Sequence, residues 1–327
     1  MTTAYGDAEL AETLRSWPVA RAGRPVGAAR VTEGSVVTAS LGADLDADLE
    51  IGSVSKGLTG MLYVDSVARG EVRPETTLGD VLDLAGSPAG DLPLMSLSTH
   101  TSGLPRLPRD PALLGKTWAV WRHGRNPYGT DLATLLRQTR RTRLRTPKHR
   151  YSNLGFELLG HALAAAAGTT YAALLDARIA APLGLRATYA PVSPAQLRPT
   201  AVAGSTRRGR PAQPWTGEGL SPAGGVRSSV ADLGRLVATL LDGTAPGVGA
   251  LDRVYDVAGH AGIGAAWMTL DARHRSITWH NGRTGGFSCW VGLDRSAGTG
   301  VAVVAASARS VDRPGFSMLA QLGQHEH

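Results

Sequence analysis

Three short stretches hold residue types that could do covalent chemistry together. Ser53-Val54-Ser55-Lys56 puts a hydroxyl and an amine at i and i+3, one above the other on one face of a helix. A serine hydroxyl is a poor nucleophile until a base takes its proton, and a neutral lysine amine one turn away can take it. Gly52 permits a sharp start, and a serine in the first turn feels the positive end of the helix dipole. The residues that follow, Gly57-Leu58-Thr59-Gly60, make that face small and apolar, which argues against a lysine pointing into solvent. Taken alone, Ser-x-x-Lys also arises by chance on solvated helices.

The second stretch, Tyr151-Ser152-Asn153, stands before an apolar helical run that begins at Leu154. A phenol on a loop tip can relay a proton, and the Asn153 amide offers both a donor and an acceptor to a substrate amide or ester. The plainer reading is Asn153 as helix cap with Tyr151 as packing. In the third stretch, His280-Asn281-Gly282-Arg283 closes one strand and Thr284-Gly285-Gly286-Phe287 starts the next. Glycine there lets a substrate backbone approach an edge strand, and an exposed strand N–H could supply half of an oxyanion hole. By itself this is a polar hairpin with a surface histidine.

The elements that must position these residues follow from periodicity. Ala8–Trp17 reads as a short amphipathic helix, and Val26–Thr32 with Ser35–Leu41 as a hairpin turned by Glu33-Gly34. Leu49–Val54 leads into a helix over Ser53–Arg69, stopped by Gly70. Helices are expected over Asp131–Arg140, Asn153–Ala167, Tyr171–Ile179 and Ala231–Leu241, the last opened by a capping box from Ser229 to Asp232. Residues 106–130 show no clear period. Gly264–Leu270, Ser276–His280, Phe287–Leu293 and Gly300–Ala306 read as short strands. Two early strands, a helical middle and a terminal antiparallel set imply one sheet built from both chain ends with a helical lobe inserted.

Composition narrows the classes. A chain of 327 residues with 43% hydrophobic and 19% charged residues can build one or two lobes around a real core. Only Lys56, Lys116 and Lys148 are lysines among 34 basic residues. Arginine cannot give up its proton, so a site that needs a neutral amine must keep its lysine. The formal charge of +7 and the run Arg137–Arg150 suggest an anionic partner. That run has no interleaved aromatic residue to stack a base, so it reads as a solvated helix face and loop, and nucleic acid is not expected. Cys289 is the single cysteine and reads as a small core residue. No His-Glu-x-x-His occurs and the close pair His325 and His327 sits at the carboxy terminus, so neither metal nor cofactor is expected. The residues from Met1 to Leu14 carry Asp7, Glu9 and Glu12 and no signal-like apolar run, and no run is long enough to span a bilayer. The expectation is a cytoplasmic protein without membrane contact, its oligomeric state open.

In this order and approximate spacing the stretches resemble the class C β-lactamase family of penicillin-recognising serine hydrolases. That family also holds D-Ala-D-Ala carboxypeptidases, D-amino-acid amidases and esterases. The likeness extends to Thr99-His100-Thr101-Ser102-Gly103-Leu104-Pro105, to Pro182-Leu183-Gly184-Leu185, to Gly224-Gly225 with Ser228 and Asp232, and covers roughly residues 24–307. It implies an α+β fold, an antiparallel sheet flanked by helices in an α/β sandwich, with the α/β lobe over about 1–70 and 235–327. The inserted helical lobe would cover about 71–234. It implies that Ser53 is acylated, with Lys56 and Tyr151 handling its proton and the choice of base left open. Asn153, His280, Gly282 and Arg283 would bind substrate, and the Ser53 and Arg283 N–H groups would form the oxyanion hole. His100 and Ser102 would be structural. His280 stands where β-lactamases carry a lysine, which resembles the carboxypeptidase, aminopeptidase and esterase members. Lys148 stands where a glycine is usual before Tyr-x-Asn. The implied activity is hydrolysis, or transfer to another acceptor, of a small-molecule ester or amide, an anionic one among the possibilities. Small esters are expected to turn over faster than β-lactams. A β-lactamase or D-Ala-D-Ala carboxypeptidase is the alternative, and a catalytically silent binding scaffold is the alternative from another class.

Overall fold

Strands form where both faces of the chain can be buried. In the computed structural model, which describes residues 2–108, 126, 130–272 and 275–323, every position of Ser288–Asp294 and Thr299–Ala305 is buried. Val301, Val303 and Ala305 enter one apolar cluster, while Ala302, Val304 and Ala306 enter another on the opposite side. Side chains alternate across a strand, so a sheet covered on both faces selects continuous apolar runs. These are the central strands of the molecule.

In chain order the strands are β1 (Ala4–Gly6), β2 (Val26–Thr32), β3 (Ser35–Leu41), β4 (Leu49–Glu50), β5 (Arg227–Ser228), β6 (Tyr255–Ala258), β7 (Ala261–Ile263), β8 (Met268–Ala272), β9 (Arg275–Arg283), β10 (Ser288–Asp294) and β11 (Thr299–Ala305). Nine of them form one antiparallel sheet in the order β1-β3-β2-β11-β10-β9-β8-β7-β6, and β4 pairs with β5 in a small ribbon. The β2–β11 pairing, Val26 opposite Ala305 through Thr32 opposite Thr299, joins the two ends of the chain. Helices Ala8–Arg15 and Asp312–Leu322 cover one face through Leu10, Leu14, Met318 and Leu319, and helix Val230–Leu241 covers the other. The α+β class implied by the sequence is the observed one.

Several expected elements are revised. Gly264–Leu270 is not one strand: Gly264 N–H bonds to Trp267 O, Ala266 has φ 72, and a turn separates β7 from β8. The helix Asp312–Leu322 was hidden by Pro314 and Gly315, yet a Cβ at Gly315 would meet the Trp290 ring at 2.4 Å, so glycine is what lets this helix lie on the sheet. Helix Val230–Leu241 straddles the boundary expected near residue 235. Helix Ser55–Ala68 packs on helices Asn153–Ala166 and Ser221–Gly224 and as extensively on the turn Val248–Leu251, so it bridges both expected lobes and residue 70 does not divide them cleanly. Ser229 does cap its helix through Asp232 N–H, but the Asp232 carboxylate turns to Ala187 N–H and Thr188 Oγ1 instead of closing a capping box. Lys116, His325 and His327 lie outside the described residues.

Candidate active site

The turn that carries Ser53 is set by two clamps. From below, β4 feeds Ile51 and Gly52 straight into the single 3₁₀ turn Gly52–Val54, and β5 holds β4 in place. Arg227 fastens this ribbon: its guanidinium reaches the Asp48 carboxylate at 2.6 Å, Glu50 at 3.3 Å and the Asp48 carbonyl at 2.8 Å, with all three side chains almost fully buried. From the side, the end of β9 presses against the turn. A Cβ on Gly282 would lie 1.9 Å from Ile51 O, and one on Gly52, whose φ is +53, would lie 2.7 Å from Arg283 N. Glycine on both sides therefore permits an approach that any side chain forbids.

That approach brings two backbone N–H groups together. Thr284 N–H bonds to Phe287 O, so Arg283 and Ser288 form a pair without mutual hydrogen bonds. The Arg283 N–H then faces away from β10, and β8 pairs with β9 only as far as Trp279. It points toward the crevice that also holds Ser53.

Helix Ser55–Ala68 raises Lys56 one turn above the serine, as the spacing requires. Ser53 Oγ accepts a hydrogen bond from Lys56 Nζ at 3.1 Å and one from Tyr151 Oη at 2.6 Å. Lys56 is fully buried, also donates to Ala223 O, and lies 4.9 Å from the centre of the Tyr151 ring. Ser55 instead holds the turn together. Its Oγ donates to Gly52 O at 2.6 Å and accepts from Val226 N–H at 3.2 Å, stitching the turn to the chain before β5. Tyr151 is held by His100, whose ring lies 4.6 Å away and whose Nδ1 accepts from Ser152 N–H at 3.2 Å. Capping falls to Ser152, whose Oγ accepts from Gly155 N–H at 2.9 Å, so Asn153 is the buried first residue of the helix and not its cap.

The floor gathers Lys56 with titratable groups that burial pushes toward their neutral forms. Burial, and secondarily the Lys56 charge, hold the His280 imidazole down to about 3 and push His100 well below the usual histidine range. Burial lifts the Glu157 carboxyl up to about 8, partly opposed by Lys56. His280 is only 4% exposed, packs edge-on to Trp267 at 6.4 Å and shares a 2.8 Å bond between Nδ1 and Asn281 O. His280, expected to bind substrate, is thus buried and not among the residues lining the cleft, whose wall there is formed by Asn281, Gly282 and Arg283. Burial also pushes the Cys289 thiol up, and it sits in the core.

The cleft above Ser53 has a volume of about 760 Å³ and is lined by Tyr151, Gly282 and Arg283, and by residues that motif reading passed over. Those include Arg106, Arg207, Arg208, Arg210 and Trp215. The signal was present in the Arg-rich stretch before Trp215, but it has no fixed spacing to the motifs. Arg227 was equally silent, since a buried ion pair across distant segments leaves no local pattern.

A family model described as "Beta-lactamase" matches residues 16–321. The chain belongs to the β-lactamase family. Among curated members, a D-alanyl-D-alanine-carboxypeptidase/endopeptidase AmpH of Escherichia coli (strain K12) is 32% identical over 167 residues, covering 49% of this chain and 41% of that protein. The chain thus spans well under two thirds of that relative's length. In fold, a class C β-lactamase from Rhodobacter sphaeroides superposes with a TM-score of 0.80 at 21% identity, over 97% of this chain and 99% of the other. A D-alanine carboxypeptidase AmpC from Burkholderia cenocepacia gives 0.78 at 23% identity, over 98% and 99%. These likenesses establish the β-lactamase-like fold, within which Ser53, Lys56 and Tyr151 of this family member converge at one hydroxyl.

Proposed function

We propose that this β-lactamase-family chain is a serine hydrolase or acyltransferase that cleaves a small-molecule ester or amide through an acyl-enzyme on Ser53. The observation that carries the reading is the Ser53 hydroxyl, which accepts from both Tyr151 and Lys56 beside two backbone N–H groups. As Ser53 Oγ bonds to the substrate carbonyl carbon, its proton passes to the Lys56–Tyr151 pair, and the N–H groups of Ser53 and Arg283 stabilise the negative oxygen. The bond to the leaving group then breaks and the pair returns the proton to the leaving atom. Water, or another acceptor deprotonated by the same pair, attacks the acyl carbon and releases Ser53. Asn153, the buried first residue of its helix two positions after Tyr151, is assigned to orient the substrate amide or ester. His280, buried against Trp267 and within reach of the Lys56 charge, bonds through Nδ1 with the Asn281 carbonyl and holds that strand in place.

The test is mass spectrometry of the intact protein after exposure to a fluorophosphonate and to a panel of esters and amides. A Ser53 adduct whose mass reports the acyl group supports the reading. Absence of any adduct under conditions where the protein is folded favours the silent scaffold. A stable adduct with penicillin together with fast cephalosporin hydrolysis favours the β-lactamase or carboxypeptidase alternative.

A further inference from the structure

We infer that the substrate carries a phosphate or pyrophosphate group, bound by an arginine cluster in the Ser53 cleft; this rests on the hydrolase reading above. Arg106, Arg207, Arg208, Arg210 and Arg283 all line the cavity that holds Ser53, while Asp312 is its one acidic lining residue among the described residues. Asp312 is already engaged with the Asn281 amide at 3.0 Å. Elsewhere some arginines are paired, Arg227 with Asp48, Arg178 with Glu71, Arg275 with Asp294 and Arg253 with Asp271, while others are not. Among the described residues none of the five cleft arginines has a carboxylate within 4.0 Å. An arginine-rich chain leaves arginines unpaired over its surface as well; what sets these five apart is that they line one cavity around Ser53.

Three of the five stand on a fixed turn. Gly209 N–H bonds to Thr206 O at 2.8 Å, Thr206 N–H to Arg210 O at 2.8 Å and Arg210 N–H to Thr206 Oγ1 at 3.1 Å. Its base is tied to the sheet, with Ser205 N–H on Gly286 O at 3.0 Å and Ser205 Oγ on Ala306 O at 2.8 Å. Arg24 reaches over to Gly209 O at 2.8 Å. On the opposite wall Arg106 is held by Asn153 N–H at 3.0 Å through its carbonyl, with its guanidinium 5.7 Å from the Tyr151 ring centre. Positive charge therefore faces the cleft from both sides. A single carboxylate would leave most of it uncompensated. Three arginines within four residues call for compact charge, and a phosphate places close to two charges and three acceptor oxygens on one centre that the guanidinium fork matches bidentately.

The experiment compares acyl donors that share a reactive carbonyl and differ in charge. An acetyl or butyryl thioester of coenzyme A is set against the same thioester of N-acetylcysteamine, which lacks the phosphates. A succinyl p-nitrophenyl ester is set against the butyryl one to represent a carboxylate source. We expect kcat/KM for the coenzyme A thioester to exceed the truncated one by tenfold or more at low salt, with the gap closing as salt rises. Inorganic pyrophosphate should inhibit competitively. In Arg207→Ala/Arg208→Ala/Arg210→Ala the ratio between the two thioesters should collapse, with fluorophosphonate labelling of Ser53 as the check that this variant is folded. Equal rates for the two thioesters with no inhibition by pyrophosphate in the unaltered protein would overturn the inference. So would a gain confined to the succinyl ester. Failure of Ser53 to label or to turn over any ester defeats the hydrolase reading instead, so the two failures are distinguishable.

Discussion

Two hydroxyls lie within three residues of each other, and the structure gives them opposite duties. Ser53 Oγ faces the cleft and receives Lys56 and Tyr151, whereas Ser55 Oγ is spent on Gly52 O and Val226 N–H. Ser53→Ala should abolish covalent labelling, while Ser55→Ala should keep it and lose about 1–3 kcal/mol of stability, because the Val226 N–H is left unpaired in the interior. Labelling that survives in Ser53→Ala and vanishes in Ser55→Ala would reverse the assignment. Lys56→Arg keeps the charge but supplies a group that does not titrate, so acylation should slow by about 10²–10⁴-fold, as in Lys56→Ala. An arginine variant that acylates at a near-normal rate would mean that position 56 supplies charge alone. His280 changes one expectation. A histidine held down to about 3 by burial does not gain a proton between pH 5 and pH 8, so acid cannot turn it into a substitute for the lysine of related β-lactamases. Arg283 stands in the same cleft wall and offers an anion a positive charge there. The ratio of kcat/KM for an anionic over a neutral ester should therefore stay flat from pH 5 to 8; a rise on the acid side would show His280 titrating against substrate. His280 has a folded value below its unfolded one, so the stability linked to it is present above about pH 6.5 and is lost as pH falls toward about 3.

At the scale of elements, what was legible was periodic or spaced. The hairpin Val26–Thr32 with Ser35–Leu41 and the helix from Asn153 were readable to within a residue, because alternation and helical spacing are local. The three motifs were readable because each lies on one turn or one strand end. What was not legible depended on contacts between distant segments: the Trp290 ring that receives Gly315, the turn at Ala266, and the Arg227 clamp on β4. The approach of β9 to the nucleophile turn belongs to the same class and gives a sharp test. Gly282→Ala would place a methyl 1.9 Å from Ile51 O. It should cost about 1–3 kcal/mol through overpacking and displace a donor of the anion site, lowering kcat by about 10²–10³-fold. A variant that labels and turns over normally would show that the strand is not part of the machinery. On helix Asn153–Ala166, the buried Glu157 keeps a proton that the unfolded chain releases near 4.5. Its contribution to stability is full below that value and is lost as pH rises through about 8. Melting temperatures of Glu157→Gln should accordingly fall less than those of the unaltered protein between pH 5 and 8, and parallel curves would refute the assignment.

Across the whole molecule, charge is organised by depth. Deep in the fold, Arg227 satisfies Asp48 and Glu50, and replacing it with methionine would strand two carboxylates at a cost of about 3–5 kcal/mol. Denaturant unfolding of Arg227→Met measures this, and an unchanged midpoint would show the clamp to be dispensable. At the surface the basic run ending at Arg150 behaves as a solvated face, with Arg140 meeting Asp83 and Arg137 and Arg140 at the favourable carboxyl end of their helix. The pairing of β2 with β11 has a further consequence, and it concerns time. During synthesis the ribosome releases the nucleophile turn early, but its companion N–H at Arg283 arrives only when most of the chain has emerged, and β2 waits for β11 beyond it. A nascent or prematurely terminated chain thus carries the reactive serine without the half-site that would stabilise its oxyanion. On the proposed mechanism, stalled or truncated products should therefore be inert toward every acyl donor.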